Sequence, residues 1–337
     1  MSDNEIIISI IVPSFNEFSY IRGCLNSLIN QTYDKEKYEI IVVDGMSDDG
    51  TRDIINEFIR KFDQIRLIDN VKKTAPVAMN IGIKEAKGDY IVRIDAHVEI
   101  PAYYLERCAK VMAHTEADVV GGPIETRGNG FWGKMIAYIL SSIFGVGSSF
   151  RTLENYSGYV DTVAFGLYKR SILETVGPHD EDLVRGHDWE INQRIIRNGG
   201  RIFIDPSIRS IWYCADNPIK LIKKSFKDGY WIAAIFEKHS FRHLAPLFYC
   251  LSLIFLGVAC YWRRGGRGSL NYVFFPLWSY LLLYYMVAFF YSLGMIRVSG
   301  WYSIIIGPFL YASFHLSRGL GTLYGLMSCV WLRTKPE

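Results

Sequence analysis

The sequence predicts an α/β domain with a mostly parallel sheet, followed by a C-terminal α-helical membrane domain. Three observations support this. Continuous apolar runs alternate with helical patterns near the N-terminus, as in βαβ units. Polar and acidic residues follow the ends of those runs. From Leu244 onward, uncharged runs reach the length of about 20 residues that a bilayer crossing needs. The formal net charge of +3 is small, and we expect no nucleic-acid partner.

The four strands and three helices of the first part follow from the spacing of apolar residues. Strands are predicted where the run is apolar throughout, and helices where apolar residues recur every three or four positions. The predicted strands cover 6–12, 38–44, 65–69 and 89–95, and the helices lie at about 21–28, 52–62 and 74–88. In such a sheet, ligands bind at the carboxyl ends of the strands.

Three of these strands end in polar residues. The turn "PSFNE" (13–17) follows the first strand, Asp44 and "GMSDDGT" the second, and Asp95 and His97 the fourth. The first turn has no GxGxxG pattern, and no P-loop motif occurs, which disfavours both kinds of phosphate loop. Because this edge is acidic, a nucleotide bound here needs a divalent cation between its phosphates and the carboxylates.

Asp95 and His97 form the candidate metal pair. They flank Ala96, so on an extended segment they project to the same side and can share Mn²⁺ or Mg²⁺. The imidazole favours Mn²⁺ slightly. The alternative is a strand-end Asp that caps the next helix with an unrelated His beside it.

The segment 184–200 is predicted to be a helix with Asp188 and Glu190 in its first turn. The helix dipole explains acids there, whereas Asp188 suits a general base equally well. The Gly-containing stretches 121–130 and 161–170 either let a substrate approach the backbone or are plain turns. The apolar segment 131–147 is short for a span and predicts a helix that contacts the membrane.

The C-terminal part predicts membrane attachment. A basic, aromatic-bearing helix over 217–243 is expected to lie in the headgroup layer, with an ordinary solvated helix as the alternative. Three Arg in "RRGGRG" (263–268) leave it open whether the first apolar run crosses the membrane or is re-entrant. The N-terminus lacks a signal-peptide pattern, and six scattered Cys fit no disulfide framework, so the head is expected in the cytosol.

Four motifs together resemble the inverting family 2 glycosyltransferases with the GT-A fold. They are "VPSFNE", "VVDGMSDDGT", "AMNIGIKEAKGDYIVRIDAH" and "HDWEINQRIIRNGG", which occur in the family's order within about residues 6–216. "DAHVEIP" and the tail "FHLSRGLGTLYGL" look similar to membrane-bound succinoglycan-type glucosyltransferases of exopolysaccharide assembly. The resemblance implies metal-dependent transfer of a hexose, such as glucose, from a UDP-sugar to a polyprenyl-diphosphate-linked saccharide.

The resemblance also assigns roles to residues. His97 stands in place of the second Asp of the family's D-x-D motif, and His187 stands where the family often has a Glu. The Gln-x-x-Arg-Trp motif of processive synthases is missing, and its absence implies addition of one or few sugars. The implied catalytic base is Asp188, and the implied metal ligands are Asp95 and His97. The implied donor site consists of Pro13, Phe15, Asn16, Glu17, Asp44, Ser47, Asn80, Asp95 and Ala96. The acceptor side would include Phe165, Gly166, His187, Trp189 and Trp231.

The predicted domain plan has a catalytic domain at 1–216, an interfacial helix at 217–243 and a transmembrane region at 244–337. Spans are expected at about 244–262 and 272–293, and 301–330 is a third span or a re-entrant segment. The protein is expected to be multi-pass in the cytoplasmic membrane, with its catalytic domain facing the cytoplasm and the bilayer and other polysaccharide-assembly proteins as partners. Two alternatives remain, a polyprenyl-phosphate sugar synthase and a non-catalytic, nucleotide-sensing membrane scaffold.

Overall fold

A computed structural model describes residues 7–146, 153, 155–234, 244–264 and 271–333. The chain forms two compact units. An α/β unit comprises residues 1–125 and 149–213, and a helical unit comprises 126–148 and 214–337. The predicted catalytic domain was continuous over 1–216, whereas the described residues 126–146 belong to the helical unit. The end of the predicted basic helix, 235–243, lies outside the described residues.

The α/β unit contains the four predicted strands, each followed along the chain by a helix or turn. The strands of the described residues are β1 Ile8–Ser14, β2 Tyr38–Asp44, β3 Ile65–Asp69, β4 Tyr90–Arg93, β5 Val98–Glu99, β6 Val119–Gly122, β7 Ile124–Arg127, β8 Gly158–Tyr159, β9 Ala164–Lys169, β10 Ile202–Ile204 and β11 Ser210–Tyr213. The helices of the α/β unit are α1 Ile21–Ile29, α2 Thr51–Ile59, α3 Ala75–Glu85, α4 Tyr104–His114, α7 Arg170–Val176 and α8 His187–Arg197.

The main sheet has eight strands in the order β3-β2-β1-β4-β9-β6-β10-β8. Strands β1 to β4 pair in parallel, as predicted, and so do β6 and β10. Strand β9 runs antiparallel to both β4 and β6, and β8 runs antiparallel to β10. The mostly parallel sheet is therefore confirmed, and the Gly-containing segment 161–170 supplies an inner strand. A smaller sheet has the order β5-β11-β7.

The core of this unit lies on both faces of β1 and β2. Ile10, Ile11, Ile40 and Ile41 are each fully buried, which agrees with their continuous apolar runs. Helix α3 packs so closely that a Cβ on Gly82 would lie 2.5 Å from the Ile11 side chain. This buried centre fixes the strand ends that carry the polar residues.

The helical unit consists of α5 Gly130–Ser141, α6 Ile143–Val146, α9 Pro218–Ala234, α10 Ala245–Arg264, α11 Asn271–Ser299 and α12 Ser303–Arg333. Glycines allow close packing of α12 against its neighbours. A Cβ on Gly321 would lie 2.0 Å from the Phe226 carbonyl oxygen of α9, and one on Gly319 would lie 2.2 Å from that of Pro246 in α10. The "FHLSRGLGTLYGL" tail is therefore a helix-packing segment.

Within the described residues, one helical stretch, Phe275–Ser299, is long and apolar enough to cross a membrane. Only 28% of its most apolar window is buried inside the protein. The first predicted span corresponds to the shorter apolar stretch Ala245–Tyr261. The region predicted at 301–330 is the single helix α12, with Pro308 inside it.

Candidate active site

The candidate site lies where β1, β2 and β4 end, because these parallel neighbours bring their carboxyl ends to one edge of the sheet. The register pairs Ser14 with Asp44, so the turns after β1 and β2 begin side by side. Asn16 has a left-handed φ of 55°, which Asn tolerates better than most residues. Its N–H donates to Ser47 Oγ at 2.8 Å, and its Oδ1 accepts from the N–H of Asp48 at 3.1 Å. The two turns brace each other.

Asp44 is fully buried, and its neighbours compensate its charge. Oδ2 accepts from the Ser47 N–H at 2.8 Å and from Arg52 Nη1 at 3.1 Å, and Oδ1 accepts from Ser47 Oγ at 2.6 Å. Arg52 also donates to Asp69 at 2.8 Å. These bonds fill three of the about four acceptor positions of a carboxylate, and the Asp44 side chain has no exposed surface, so its implied contact with the donor stays a prediction. The structure thus brings Asp44 and Ser47 together and adds Arg52, which the sequence analysis did not identify.

Phe15 and Lys73 lie beside this edge. The Phe15 side chain is exposed, and a Cβ on Gly45 would lie only 3.0 Å from its ring. Lys73 Nζ lies 5.4 Å from the centroid of that ring, a cation–π distance. An exposed ring with an ammonium group beside it suits a nucleobase next to a phosphate. Lys73 was also missed, because nothing in its local spacing marks it.

Arg93, at the end of β4, contacts both Asp95, which follows that strand, and residues at the start of α8. Its Nε donates to Asp95 Oδ1 at 2.9 Å, and its Nη2 lies 2.6 Å from the same oxygen. Its Nη1 contacts Asp188 Oδ1 in α8 and lies 2.9 Å from His187 Nε2. Arg93 is buried, whereas Asp188 is 41% exposed. One guanidinium therefore holds the predicted metal ligand and the predicted base together.

His187 is a neutral, buried partner of Arg93. Because arginine has no acceptor atom, His187 Nε2 accepts the hydrogen bond. Burial, the charge of Arg93 and the neighbouring His179 hold the pKa of His187 well below its usual 6.5. The two imidazole rings meet edge to face, with centroids 5.8 Å apart. His187 thus orients Arg93, and the acceptor-side role given to it remains a prediction.

His97 pairs with Glu17 from the first turn. Its Nδ1 lies 2.8 Å from Glu17 Oε1. Burial alone would lower the pKa of His97, but the Glu17 hydrogen bond and the charges of Asp95 and Glu17 raise it above 6.5. Tyr20 and Trp212 meet the imidazole edge to face, with centroids at 6.4 and 6.0 Å. The predicted donor residue Glu17 is therefore the group that orients His97.

Asn80 is held by the loop that precedes α8. Its Nδ2 donates to the His179 carbonyl at 2.9 Å and to Glu181 Oε1 at 3.2 Å, and its Oδ1 accepts from the His179 N–H at 2.8 Å. Both amide N–H donors are used in this way. The geometry favours a loop-anchoring role for Asn80, and its predicted donor contact stays a prediction.

The predicted acceptor-side residues are only partly brought together. Phe165 has a left-handed φ of 54°, and its carbonyl oxygen accepts from the Tyr104 hydroxyl at 2.5 Å. Arg93, Phe165 and Asp188 line a cavity of about 20 Å³, room for roughly one water molecule. Gly166 packs on β6, where a Cβ would lie 3.0 Å from the Val120 carbonyl oxygen. Trp189 follows Asp188 in α8, whereas Trp231 lies on α9 in the helical unit.

Comparison with known proteins decides the family. Residues 9–177 match the family described as Glycosyl transferase family 2. The chain belongs to glycosyltransferase family 2. It is 32% identical over 264 residues, 74% of this chain and 82% of the other, to a dolichyl N-acetyl-alpha-D-glucosaminyl phosphate 3-beta-D-2,3-diacetamido-2,3-dideoxy-beta-D-glucuronosyltransferase of Methanococcus voltae. It is 28% identical to the succinoglycan biosynthesis protein ExoA of Rhizobium meliloti, over 71% of this chain and 74% of that protein.

A solved structure shows the same fold as this family 2 glycosyltransferase. The mannosyltransferase PcManGT from Pyrobaculum calidifontis, in complex with GDP-Man and Mn²⁺, superposes with a TM-score of 0.65. The superposition covers 96% of this chain and 88% of that one, at 17% identity. The predicted GT-A-like α/β fold is thereby confirmed.

The donor atoms of Asp95 and His97 are of kinds that bind divalent cations. The predicted extended segment is not observed, because β4 ends at Arg93 and the Val98 N–H closes a turn on the Asp95 carbonyl oxygen at 2.9 Å. No group of three or more His, Cys, Asp or Glu that could hold a metal occurs among the described residues. The Arg93 Nε hydrogen bond and the closest ion-pair contact, from Nη2, both end on Asp95 Oδ1, so Oδ2 is the atom that would face an ion. The Glu17 carboxylate on His97 Nδ1 makes Nε2 the available ligand atom, an arrangement common around metal-binding histidines. The binding of one Mn²⁺ or Mg²⁺ by both residues, with further ligands from a bound diphosphate, stays a prediction.

Proposed function

We propose that this family 2 glycosyltransferase moves a sugar from a UDP-sugar to a hydroxyl of a polyprenyl-diphosphate-linked saccharide, with inversion. The contact of Arg93 with both Asp95 and Asp188 supports this most. Asp95 lies at the edge where a nucleotide diphosphate is expected, and Asp188 is partly exposed at the start of α8. Displacement of UDP in a single step requires a base near the site that holds the diphosphate leaving group.

In this proposal, Asp188 accepts the proton of the attacking acceptor hydroxyl. The acceptor oxygen forms a bond to the anomeric carbon as the bond from that carbon to the UDP oxygen breaks, and UDP leaves with the electron pair. Arg93 Nη1 contacts Asp188 Oδ1, and His187 Nε2 lies 3.3 Å from the same oxygen. Asp188 Oδ2 is therefore the atom that takes the proton.

The donor would occupy the braced edge after β1 and β2. Its nucleobase would face the exposed ring of Phe15, at the edge where Asp44 and Ser47 are bonded to each other. Lys73, beside the Phe15 ring, supplies positive charge for the phosphates. A divalent cation held by Asp95 and His97 would supply further positive charge to the diphosphate leaving group.

A lipid-linked acceptor is supported by the relatives and by the helical unit. One relative is named for transfer to a dolichyl-linked sugar phosphate, and another for succinoglycan biosynthesis. Stretch Phe275–Ser299 could anchor the chain in the membrane that contains such acceptors. We place the protein in the cytoplasmic membrane with its α/β unit in the cytosol.

Replacement of the base tests the proposal. In D188N, the amide cannot accept the proton, and we expect the transfer rate to fall by about 10²–10⁴, with the affinity for UDP unchanged. D63N, which alters an exposed Asp outside the site, should transfer at the wild-type rate. The assay supplies membranes with labelled UDP-sugars, Mn²⁺ and lipid-linked acceptors, and a parallel panel of GDP-sugars checks the nucleotide.

The alternatives give different results. A polyprenyl-phosphate sugar synthase transfers to a phosphate that is already anionic and needs no base, so full activity of D188N would contradict the base assignment. A nucleotide-sensing scaffold would release no UDP with any donor or acceptor.

A further inference from the structure

The helical unit contains a second, larger cavity of about 490 Å³. This volume falls in the range of roughly 300–1,000 Å³ typical of small-molecule sites. Four helices surround it. Its lining residues include Phe144 of α6, Pro246 and Tyr249 of α10, Tyr284 of α11, and His315 and Arg318 of α12.

Aromatic rings form one part of the cavity wall. Tyr249 and Tyr284 stack with ring centroids 4.2 Å apart, and the Phe144 ring lies 5.3 Å from Tyr284. The Tyr249 and Tyr284 side chains are buried, whereas Ile143 and Leu283 in the lining are 60% and 56% exposed. The cavity thus combines a buried aromatic part with exposed apolar side chains, as expected for a ligand whose hydrocarbon chain extends beyond the cavity.

One polar group in this lining lacks a partner. Arg318 Nε is buried and makes no hydrogen bond to any described residue. His315, by contrast, pairs with the Tyr284 hydroxyl at 2.7 Å. The carboxylate whose charge acts on Arg318 is that of Asp228, which already forms an ion pair with Lys224 at 2.9 Å. A buried N–H without a partner costs free energy, and an anionic oxygen would satisfy it.

We propose that this cavity binds an isoprenoid phosphate, with the phosphate on Arg318 and the first isoprene units against the aromatic rings. Among the described lining residues, Arg318 is the one Lys or Arg, which fits a ligand with one chain and one anionic head, whereas a diacyl phospholipid has two chains. The choice of an isoprenoid over other single-chain phosphates rests on the proposed lipid-linked acceptor. The proposal concerns binding of the lipid alone, so it can be tested without a nucleotide-sugar donor.

Binding of farnesyl phosphate tests the proposal. Equilibrium dialysis with radiolabelled farnesyl phosphate uses the purified full-length chain in detergent, with farnesol, inorganic phosphate and dioleoyl phosphatidylglycerol as competitors. We expect one bound farnesyl phosphate per chain, little competition from any of the three, and displacement by undecaprenyl phosphate. Efficient competition by farnesol would overturn the role of the anion, and equal competition by the phospholipid would overturn the single-chain ligand.

Paired variants locate the ligand. R318Q should weaken farnesyl phosphate binding at least tenfold, whereas R297Q, at an exposed Arg on α11, should not. L283W should block the cavity from its exposed side, and L282W, next to it but outside the lining, should not. L283W keeps the test valid if R318Q fails to fold.

UDP binding separates this proposal from the proposed function. R318Q and L283W should bind UDP as the wild type does, since both residues belong to the helical unit. Unchanged farnesyl phosphate binding in both variants would overturn the cavity proposal even if transfer is observed. Absent transfer with intact, variant-sensitive farnesyl phosphate binding would contradict the proposed function alone.

Discussion

At the scale of single residues, Arg93 determines the arrangement of the site. Asp95 and Asp188 would repel each other if both carboxylates were ionised without a cation nearby. The Arg93 guanidinium compensates them simultaneously, and His187 accepts one of its N–H groups at 2.9 Å. A planar fork with several donors can do this, whereas an ammonium group acts as a single point charge.

R93K should therefore lower the transfer rate although it conserves charge. Lysine cannot reach both carboxylates in fixed geometry, and displacement of a reacting group by about 1 Å can cost roughly 10²-fold in rate. We expect a loss of that order in kcat and a smaller change in UDP affinity. R22K, at an exposed pair with Glu57, is the matched control and should behave as wild type. Wild-type kcat in R93K would show that the fork geometry is dispensable.

His179 provides a pH-dependent contribution to stability. Burial, Arg93 and Arg194 lower its pKa to about 3. As the pH falls below about 6.5, the unfolded chain takes up a proton that the folded chain does not, so the free energy of unfolding decreases by up to about 1.4 kcal/mol per pH unit. This stability is complete above pH 6.5 and is lost as the pH falls towards 3.

H179F should reduce this dependence, because phenylalanine does not titrate. Thermal unfolding of the full-length protein in detergent, followed by circular dichroism between pH 7.5 and 5, should show a smaller decrease of the midpoint than in the wild type. H114F, at an exposed His, should leave the decrease unchanged. An identical decrease in H179F would assign the effect to other groups, such as His187.

At the scale of elements, periodicity predicted β1 to β4 and their helices, because each buried face leaves a local pattern. Strand β9 was not predicted, since its segment reads equally well as a turn, and its antiparallel direction depends on β4 and β6.

The roles of Arg93 and Arg52 were not predictable from the sequence for a related reason. Arg93 meets Asp188 across 95 positions of sequence, and no local spacing encodes that contact.

The packing of α12 on α9 gives a test at this scale. In G321A, the new Cβ would lie 2.0 Å from the Phe226 carbonyl oxygen, so the helices must move apart. We expect a loss of about 1–3 kcal/mol and a lower midpoint of thermal unfolding in detergent. G257A in α10 meets nothing within 4 Å, and alanine favours a helix by about 1 kcal/mol over glycine. G257A should therefore raise the midpoint or leave it unchanged, and equal effects of both variants would contradict close α9–α12 packing.

At the scale of the whole molecule, the exposed apolar surface of α11 predicts membrane association. Leu282 and Phe290 are 63% and 67% exposed, and a charge at the centre of a spanning helix costs roughly 2.5–3.5 kcal/mol. The wild type should float with liposomes and resist carbonate extraction, whereas L282E/F290E should lose much of this association. K61E/K87E, on the α/β unit, should float as the wild type does. Recovery of the wild type in the soluble fraction would contradict a membrane anchor.

The order of strands in the main sheet has a consequence for synthesis. Strands β1 to β4 come from residues 8–93, but β9, which covers the edge of β4, comes from 164–169. The apolar helix α5 is synthesised after β4 and before β9. The rest of the helical unit to which α5 belongs follows from residue 214 onward. An open strand edge and an apolar helix without its partners are therefore exposed during the same interval of translation. We therefore expect the nascent chain to be prone to aggregation at that stage.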